Sequence, residues 1–378
     1  VRIVALLTAV LLAAGCAAPG TTTVAPEPSA ALPVSVGAAL QTALDANRDR
    51  LGYPGAMVGV WTPDGAWFGV TGESGRGSGR PPRRDDHTRI GSLTKTFTVM
   101  ALLQLADRGQ VSLQDPIDRY VPGMPNGDTT TLRDLAAMTS GIPNYSASAA
   151  FGEAWSADPA GTVFSPQQLA DFVKSQPALF PPGTQMDYSN TNTVLLGMVI
   201  EKVTGQPMTQ VYRANLLEPL GMSQTSFPGS SPELPRPHLD GLTNQPDGTV
   251  RDATSWNPSW TFTAGGMIST LDDMHTWTVA LGTGDGLISQ DMQRQREAST
   301  TSRVPPNDAE LTYALGFFVD RGWWGHNGAL PGFTSYAVYH PQRRTSVVVF
   351  VNSDITTPDQ QTKPADLLAA DIIAALPS

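Results

Sequence analysis

Only four lysines occur in the chain, at 95, 174, 202 and 363, and one of them follows a serine by three residues. Ser92-Leu93-Thr94-Lys95 is the single S-x-x-K. On a helix that spacing puts both side chains on one side, a turn apart. Chance would supply such a pair roughly one time in four with so few lysines, so the surroundings decide. Gly91-Ser92 opens a run in which Leu93, Phe97, Val99, Met100, Leu102 and Leu103 cover most of a helix circumference. Such a helix is expected to be buried, with Ser92 at the positive end of its dipole. A lysine there must find hydrogen-bond partners or lose its proton, and either state could serve a serine that needs a base. Ser92 as a plain N-cap fits less well, because a capping box would want Glu or Gln at 95.

Two more motifs are unique. Tyr188-Ser189-Asn190 is the only Y-x-N among eight tyrosines, and His326-Asn327-Gly328 is the only Lys-or-His-x-Gly. Singly, each has an ordinary reading as a core aromatic, a helix cap or a strand-end histidine. Together, in the order S-x-x-K, Y-x-N, H-x-G, they are hard to ascribe to chance. Other chemistries are poorly served. The histidines (His87, His238, His275, His326, His340) stand apart with no H-E-x-x-H, and Cys16 is the lone cysteine, so no metal centre is expected. No G-x-S-x-G occurs, which removes the usual nucleophile elbow.

The elements that must position these residues follow from periodicity. Helical patterns cover Val36–Asn47, Leu93–Arg108, Leu132–Met138, Ser165–Ser175, Thr191–Thr204, Met208–Leu216, Leu271–Leu281 and Pro364–Leu376. Strand patterns cover Ala56–Trp61 and Ala66–Val70, joined at Thr62-Pro63-Asp64-Gly65, and later Thr312–Val319, Gly322–His326, Thr334–His340 and Thr345–Val351. Strands near both ends around a helical middle predict an α/β (α+β) fold. One antiparallel sheet would be assembled from both ends of the chain and flanked by helices, with a mostly helical insertion. The α/β part would comprise residues 34–91 and about 282–378, and the helical part about 92–281.

In these motifs the chain resembles the penicillin-recognising serine hydrolases: class C β-lactamases, D-alanyl-D-alanine carboxypeptidases and related esterases. The resemblance runs over about residues 40–355. It includes Met138-Thr139-Ser140-Gly141-Ile142, Pro182-Gly183, Leu196-Gly197-Met198-Val199-Ile200-Glu201-Lys202 and Ala264-Gly265-Gly266-Met267-Ile268-Ser269-Thr270. It implies a β-lactamase/transpeptidase-like fold and an acyl-enzyme at Ser92, with no cofactor. Either a protonated Lys95 favours phenolate at Tyr188, or a neutral Lys95 takes the serine proton itself. Asn190 would position Lys95 and a substrate amide, and His326 would relay a proton or fix Tyr188, titrating between about pH 5 and 8. The backbone N–H groups of Ser92 and Ala329 would form an oxyanion hole. Asn327, Gly328, Trp260, Phe151 and Phe318 would line the pocket; Trp260 and Phe151 could equally be core aromatics.

One departure stands out. Carboxypeptidases of this kind place an arginine just after a Tyr-x-Leu-Gly segment, where it meets the substrate's terminal carboxylate. Here Tyr313-Ala314-Leu315-Gly316 is followed by Phe317 and Phe318, and the nearest arginine, Arg321, falls on the opposite strand face unless a turn at Gly322 swings it in. Peptide, β-lactam or ester acyl groups are therefore the expected substrates, small molecules or peptidoglycan peptides, with neutral ones favoured. A carboxylesterase using the same residues is the alternative, and a non-hydrolytic penicillin-binding or envelope-sensing protein the rival of another class.

The remaining sequence bears on location. Arg2 and an apolar run from Ile3 to Ala14 read as a signal peptide over 1–15. Leu12-Ala13-Ala14-Gly15-Cys16 resembles a bacterial lipobox, so Cys16 would be lipidated and 16–33, rich in Pro, Thr and Ala, would be a tether before a domain spanning 34–378. An exported lipoprotein on the outer face of the cell membrane is expected, anchored through lipid. With 24 Lys+Arg against 34 Asp+Glu, a net charge of −10 argues against a nucleic-acid partner. Charged residues at 15% and hydrophobic ones at 40% allow a large core.

Overall fold

The computed structural model describes residues 30–244, 248–302, 304–355 and 362–377. Cys16, the apolar leader and most of the expected tether lie outside the described residues. The strands are β1 (Gly55–Thr62), β2 (Gly65–Gly72), β3 (Thr88–Arg89), β4 (Leu242–Asn244), β5 (Val250–Asp252), β6 (Ile268–Ser269), β7 (Leu311–Tyr313), β8 (Phe318–Asp320), β9 (Trp323–Leu330), β10 (Phe333–His340) and β11 (Thr345–Val351). The helices are α1 (Val34–Leu51), α2 (Thr94–Asp107), α3 (Leu132–Ala136), α4 (Ala149–Ser156), α5 (Pro166–Lys174), α6 (Asn190–Thr204) and α7 (Met208–Tyr212). A π-helical turn leads from α7 into α8 (Glu218–Leu220), followed by α9 (Leu271–Thr283), α10 (Gln290–Ser299) and α11 (Pro364–Ala374).

Seven strands form one antiparallel sheet in the order β2-β1-β11-β10-β9-β8-β7. Strands from both ends of the chain meet at the β1–β11 pair, as the sequence pattern predicts. Side chains of β1 and β11 alternate between two cores, which is why both strands are apolar at nearly every position. Ala56, Val58, Val60, Val347, Val349 and Val351 pack with Leu40, Leu44, Leu368 and Ile372 of α1 and α11. Met57, Val348 and Phe350 face the other way, into the core shared with α2, α6 and α9. Every residue of α2 from Thr94 to Leu105 is buried, as its apolar circumference requires.

The expected single strand over Thr312–Val319 is instead two strands. Gly316 takes φ 81, a conformation open to glycine, and a Cβ there would lie 2.5 Å from Val99 of α2. Ala314 N–H donates to Phe317 O at 2.7 Å, and this turn breaks the run into β7 and β8. Leu32 N–H donates to Ala66 O at 3.0 Å, which lays residues 30–32 beside β2.

Candidate active site

Ser92 sits where β3 gives way to helix. The backbone of Ile90 donates to Met267 O at 3.1 Å, and Met267 N–H returns a bond to Thr94 Oγ1 at 3.1 Å, so the chain on either side of Ser92 is clamped to the segment after Ala264. Gly91, at φ 53, turns the chain from strand into a 3₁₀ turn (Gly91–Leu93) that runs on into α2. Ser92 is therefore carried at the head of a buried helix.

Lys95 is 0% exposed, and its Nζ lies 2.9 Å from Ser92 Oγ and 2.6 Å from Ala264 O. The carbonyl is held in place by neighbours: Thr98 Oγ1 donates to Thr263 O and Thr263 Oγ1 to Thr193 O, each at 2.7 Å. Burial pushes the Lys95 pKa well below the ordinary lysine value, and no carboxylate offsets it. Nζ donates to Ala264 O and to Ser92 Oγ. Of the two base states open in sequence, desolvation works toward the neutral lysine.

Tyr188 lies over the same amine, its ring centroid 4.9 Å from Lys95 Nζ. Burial raises its pKa, and Ser92 lowers it only in part. Ser92 is close enough to act on the phenol, yet the hydroxyl is buried and closes no full hydrogen bond. Tyr188 is thus held as a phenol with a proton to give. His326 Nδ1 is 2.6 Å from Asn327 O, an acceptor only, so Nδ1 carries the ring proton. Its Nε2 then accepts from the Tyr313 hydroxyl at 3.3 Å. The rings of Tyr313 and His326 stand 6.2 and 5.9 Å from that of Tyr188. Burial first, and Lys95 second, lower the His326 pKa to about 3. This corrects the expectation of a histidine that titrates between pH 5 and 8: His326 stays neutral there.

Several expected residues take other places. Asn190 makes no hydrogen bond to Lys95; its Nδ2 donates to Ser146 Oγ at 2.9 Å and its backbone N–H to Asn144 Oδ1 at 3.1 Å, tying α6 to the 144–146 loop. On β9 the side chains alternate, so His326 and Gly328 face Ser92 while Asn327 points to α11 and donates to Asp366. Phe318 lines a groove on that far face, its ring 5.7 Å from Tyr336 and equally 5.7 Å from His326, so it borders both sides. Arg321, at the β8–β9 turn with φ 46, is held bidentate on Asp320 at 2.9 and 3.1 Å and does not swing in. Phe151 is buried in an aromatic core with Tyr145, Phe164, Phe172 and Trp260. Trp260 is half-buried and sits with Leu330 and Pro331, just past Ala329.

A Cβ on Gly91 would lie 2.8 Å from Ala329 N, and one on Gly328 would lie 2.1 Å from Ile90 O, so β9 presses against the turn that holds Ser92. Sequence reasoning missed Tyr313 as the partner of His326, Ala264 O as the second partner of Lys95, and Arg89. Buried Arg89 donates through Nη2 to the carbonyls of Pro232, Thr254 and Trp256 at 2.6, 3.3 and 3.4 Å, ordering the loop that leads to Trp260. These are long-range contacts to backbone and aromatic groups, which motif spacing does not encode.

The family model described as Beta-lactamase matches residues 40–371. A D-stereospecific amidohydrolase from Streptomyces sp. superposes with a TM-score of 0.78 at 32% identity, covering 90% of this chain and 98% of that one. The D-amino acid amidase of Ochrobactrum anthropi SV3, complexed with L-phenylalanine amide, gives 0.77 at 26% identity, with 90% and 98% covered. Protein flp of Staphylococcus aureus is 30% identical over 274 residues, 70% of this chain and 52% of that one. The chain spans between about half and three fifths of the length of the curated relatives it matches. With the serine, lysine, tyrosine and histidine of the three motifs gathered around Lys95, the chain belongs to the Beta-lactamase family.

Proposed function

We propose that this protein cleaves amide or ester bonds of small acyl donors through an acyl-enzyme at Ser92, favouring donors without a free terminal carboxylate. The observation that carries the reading is the 2.9 Å contact between Ser92 Oγ and a fully buried Lys95 Nζ. Neutral Lys95 takes the Ser92 proton as Oγ attacks the acyl carbon. The oxyanion is held between the N–H groups of Ser92 and Ala329. On collapse, the leaving amine or alkoxide takes the Tyr188 proton, which Lys95 replaces. Water then enters by the reverse proton path and frees the acid.

Three facts bear on the substrate. Phe317 and Phe318 stand where a carboxylate-binding arginine would be expected, and Arg321 is tied to Asp320. Half-buried Trp260 offers an apolar face beside the Ala329 strand. The Streptomyces and Ochrobactrum neighbours are named for D-stereospecific and D-amino acid amide chemistry. The test compares kcat/KM for D-phenylalanine amide, its L enantiomer, an acyl-D-Ala-D-Ala peptide, that peptide's C-terminal amide and a p-nitrophenyl ester. The D amide should exceed the L amide, and the peptide amide should at least equal the free acid. A preference of about tenfold or more for the free acid, the scale of one charge-assisted contact, would overturn the reading.

On the same reading the protein acts in the cell envelope, lipidated at Cys16. Cys16→Ser should move it from the membrane fraction to the soluble fraction; retention of the variant in membranes would contradict this.

A further inference from the structure

The missing side chain of Gly328 leaves room beside the turn that carries Ser92, and a hydroxyl from the next strand uses it. Ser335 of β10 stands opposite Gly328 in the β9–β10 register, so the two residues share a face of the sheet. A Cβ on Gly328 would lie 2.3 Å from Ser335 Oγ and 2.1 Å from Ile90 O. Past this glycine, Ser335 Oγ donates to Ile90 O at 2.8 Å, and the serine is 1% exposed. Ile90 O also accepts from Leu93 N–H at 3.3 Å, the bond that closes the 3₁₀ turn around Ser92. One position earlier on β10, Thr334 pairs with Ala329. Strand β10 therefore meets both arms of the site: its backbone lies beside Ala329, and its Ser335 side chain holds the carbonyl two residues before Ser92.

A buried hydroxyl needs a partner, and many carbonyls could supply one. This carbonyl borders a hinge. Gly91, at φ 53, has no side chain to hold it, so its neighbours fix the orientation of the peptide that carries the Ser92 N–H. Met267 clamps the turn from one side, through Ile90 N–H and Thr94 Oγ1. The Ser335 hydroxyl clamps it from the sheet. We propose that Ser335 is a positioning residue for acylation, its hydroxyl setting the spacing between the N–H groups of Ser92 and Ala329. This role rests on the proposed function, in which those two groups hold the oxyanion. Without the hydroxyl, the turn is free to drift from β9. The donors then miss a charge that develops only in the transition state, so rate is lost and substrate binding is kept.

The test follows acylation of the full chain by a p-nitrophenyl ester in stopped flow, over a range of ester concentrations, with and without Ser335→Ala. The substitution should lower the maximal acylation rate about tenfold or more, short of the roughly 10²–10³-fold cost of losing a donor outright. The ester concentration for half-maximal rate should stay within about twofold. Phenylboronic acid, whose adduct on Ser92 carries an oxygen where the oxyanion would form, should bind the variant more weakly by a similar factor. A role in folding alone would lower the melting temperature and move neither value in the folded protein. Ser335→Cys keeps the side-chain shape with a weaker donor; it should fall between the two proteins and decides the matter if Ser335→Ala does not fold. Wild-type acylation in the folded variants, or slower acylation with boronate binding unchanged, would overturn the role of Ser335 and leave the acyl-enzyme standing. No acylation of Ser92 in the unaltered chain would overturn the proposed function, and this role with it.

Discussion

Lys95 and Tyr188 are moved in opposite directions by one cause. Removal from water disfavours the ammonium and the phenolate alike and so works toward amine and phenol, the states a base and an acid need before attack. Lys95→Met should therefore lower the acylation rate by on the order of 10²–10⁴, the scale of a positioned base. It should leave the melting temperature unchanged or higher, because a buried amine is replaced by an apolar chain of similar length. A lower melting temperature with acylation intact would assign Lys95 to structure. His326 is already neutral at working pH, so His326→Gln should not shift the limbs of the kcat/KM–pH profile between 5 and 8; a displaced limb would return the histidine to proton transfer. Ser92, Lys95, Tyr188 and His326 were legible in sequence because each sits in a short motif with a fixed offset. Asn327 points to α11 instead because adjacency in sequence to His326 says nothing about which sheet face a side chain takes.

The element that completes the site is β9. Its residues 328–329 lie against Ile90 and Gly91, and the approach depends on the missing side chain at Gly328. Gly328→Ala would set a methyl 2.1 Å from Ile90 O, so the strand must retreat and carry the Ala329 N–H with it. Acylation is expected to fall by about 10²–10³, the cost of losing one oxyanion donor, which stopped-flow acylation rates would measure. Wild-type rates in a correctly folded Gly328→Ala protein would remove Ala329 from the oxyanion site. Helices were readable where one face or the whole circumference is apolar, as in α2 and α6. The β7–β8 break was not, because Gly316 turns only against the Val99 side chain of a distant helix. The short α4 and the charged α10 also escaped, since neither shows a sustained apolar period.

Across the whole molecule, the sheet is built from both ends of the chain and covered on both faces, and this was the most legible feature because strand composition records burial on two sides. The same burial leaves a mark on stability. His275, stacked on Trp61 at 4.3 Å, has its pKa lowered to about 4, by burial and then by Arg84. Below about 6.5 the unfolded chain binds a proton that the folded His275 refuses, so stability is lost as pH falls from there toward 4. His326 acts in the same sense, and Asp366, raised to about 6, in the opposite one. His275→Gln should flatten the fall of melting temperature between pH 6.5 and 4; an unchanged slope would show that His275 is not a source of it. The central claim, acyl transfer through Ser92, is tested most directly by intact-protein mass spectrometry after mixing with a fluorescent penicillin or a p-nitrophenyl ester. One acyl adduct per chain is expected, mapped to the peptide containing Ser92, absent in Ser92→Ala and formed far more slowly in Lys95→Met. Turnover of either reagent by Ser92→Ala at the wild-type rate, or an adduct on any other residue, would contradict it.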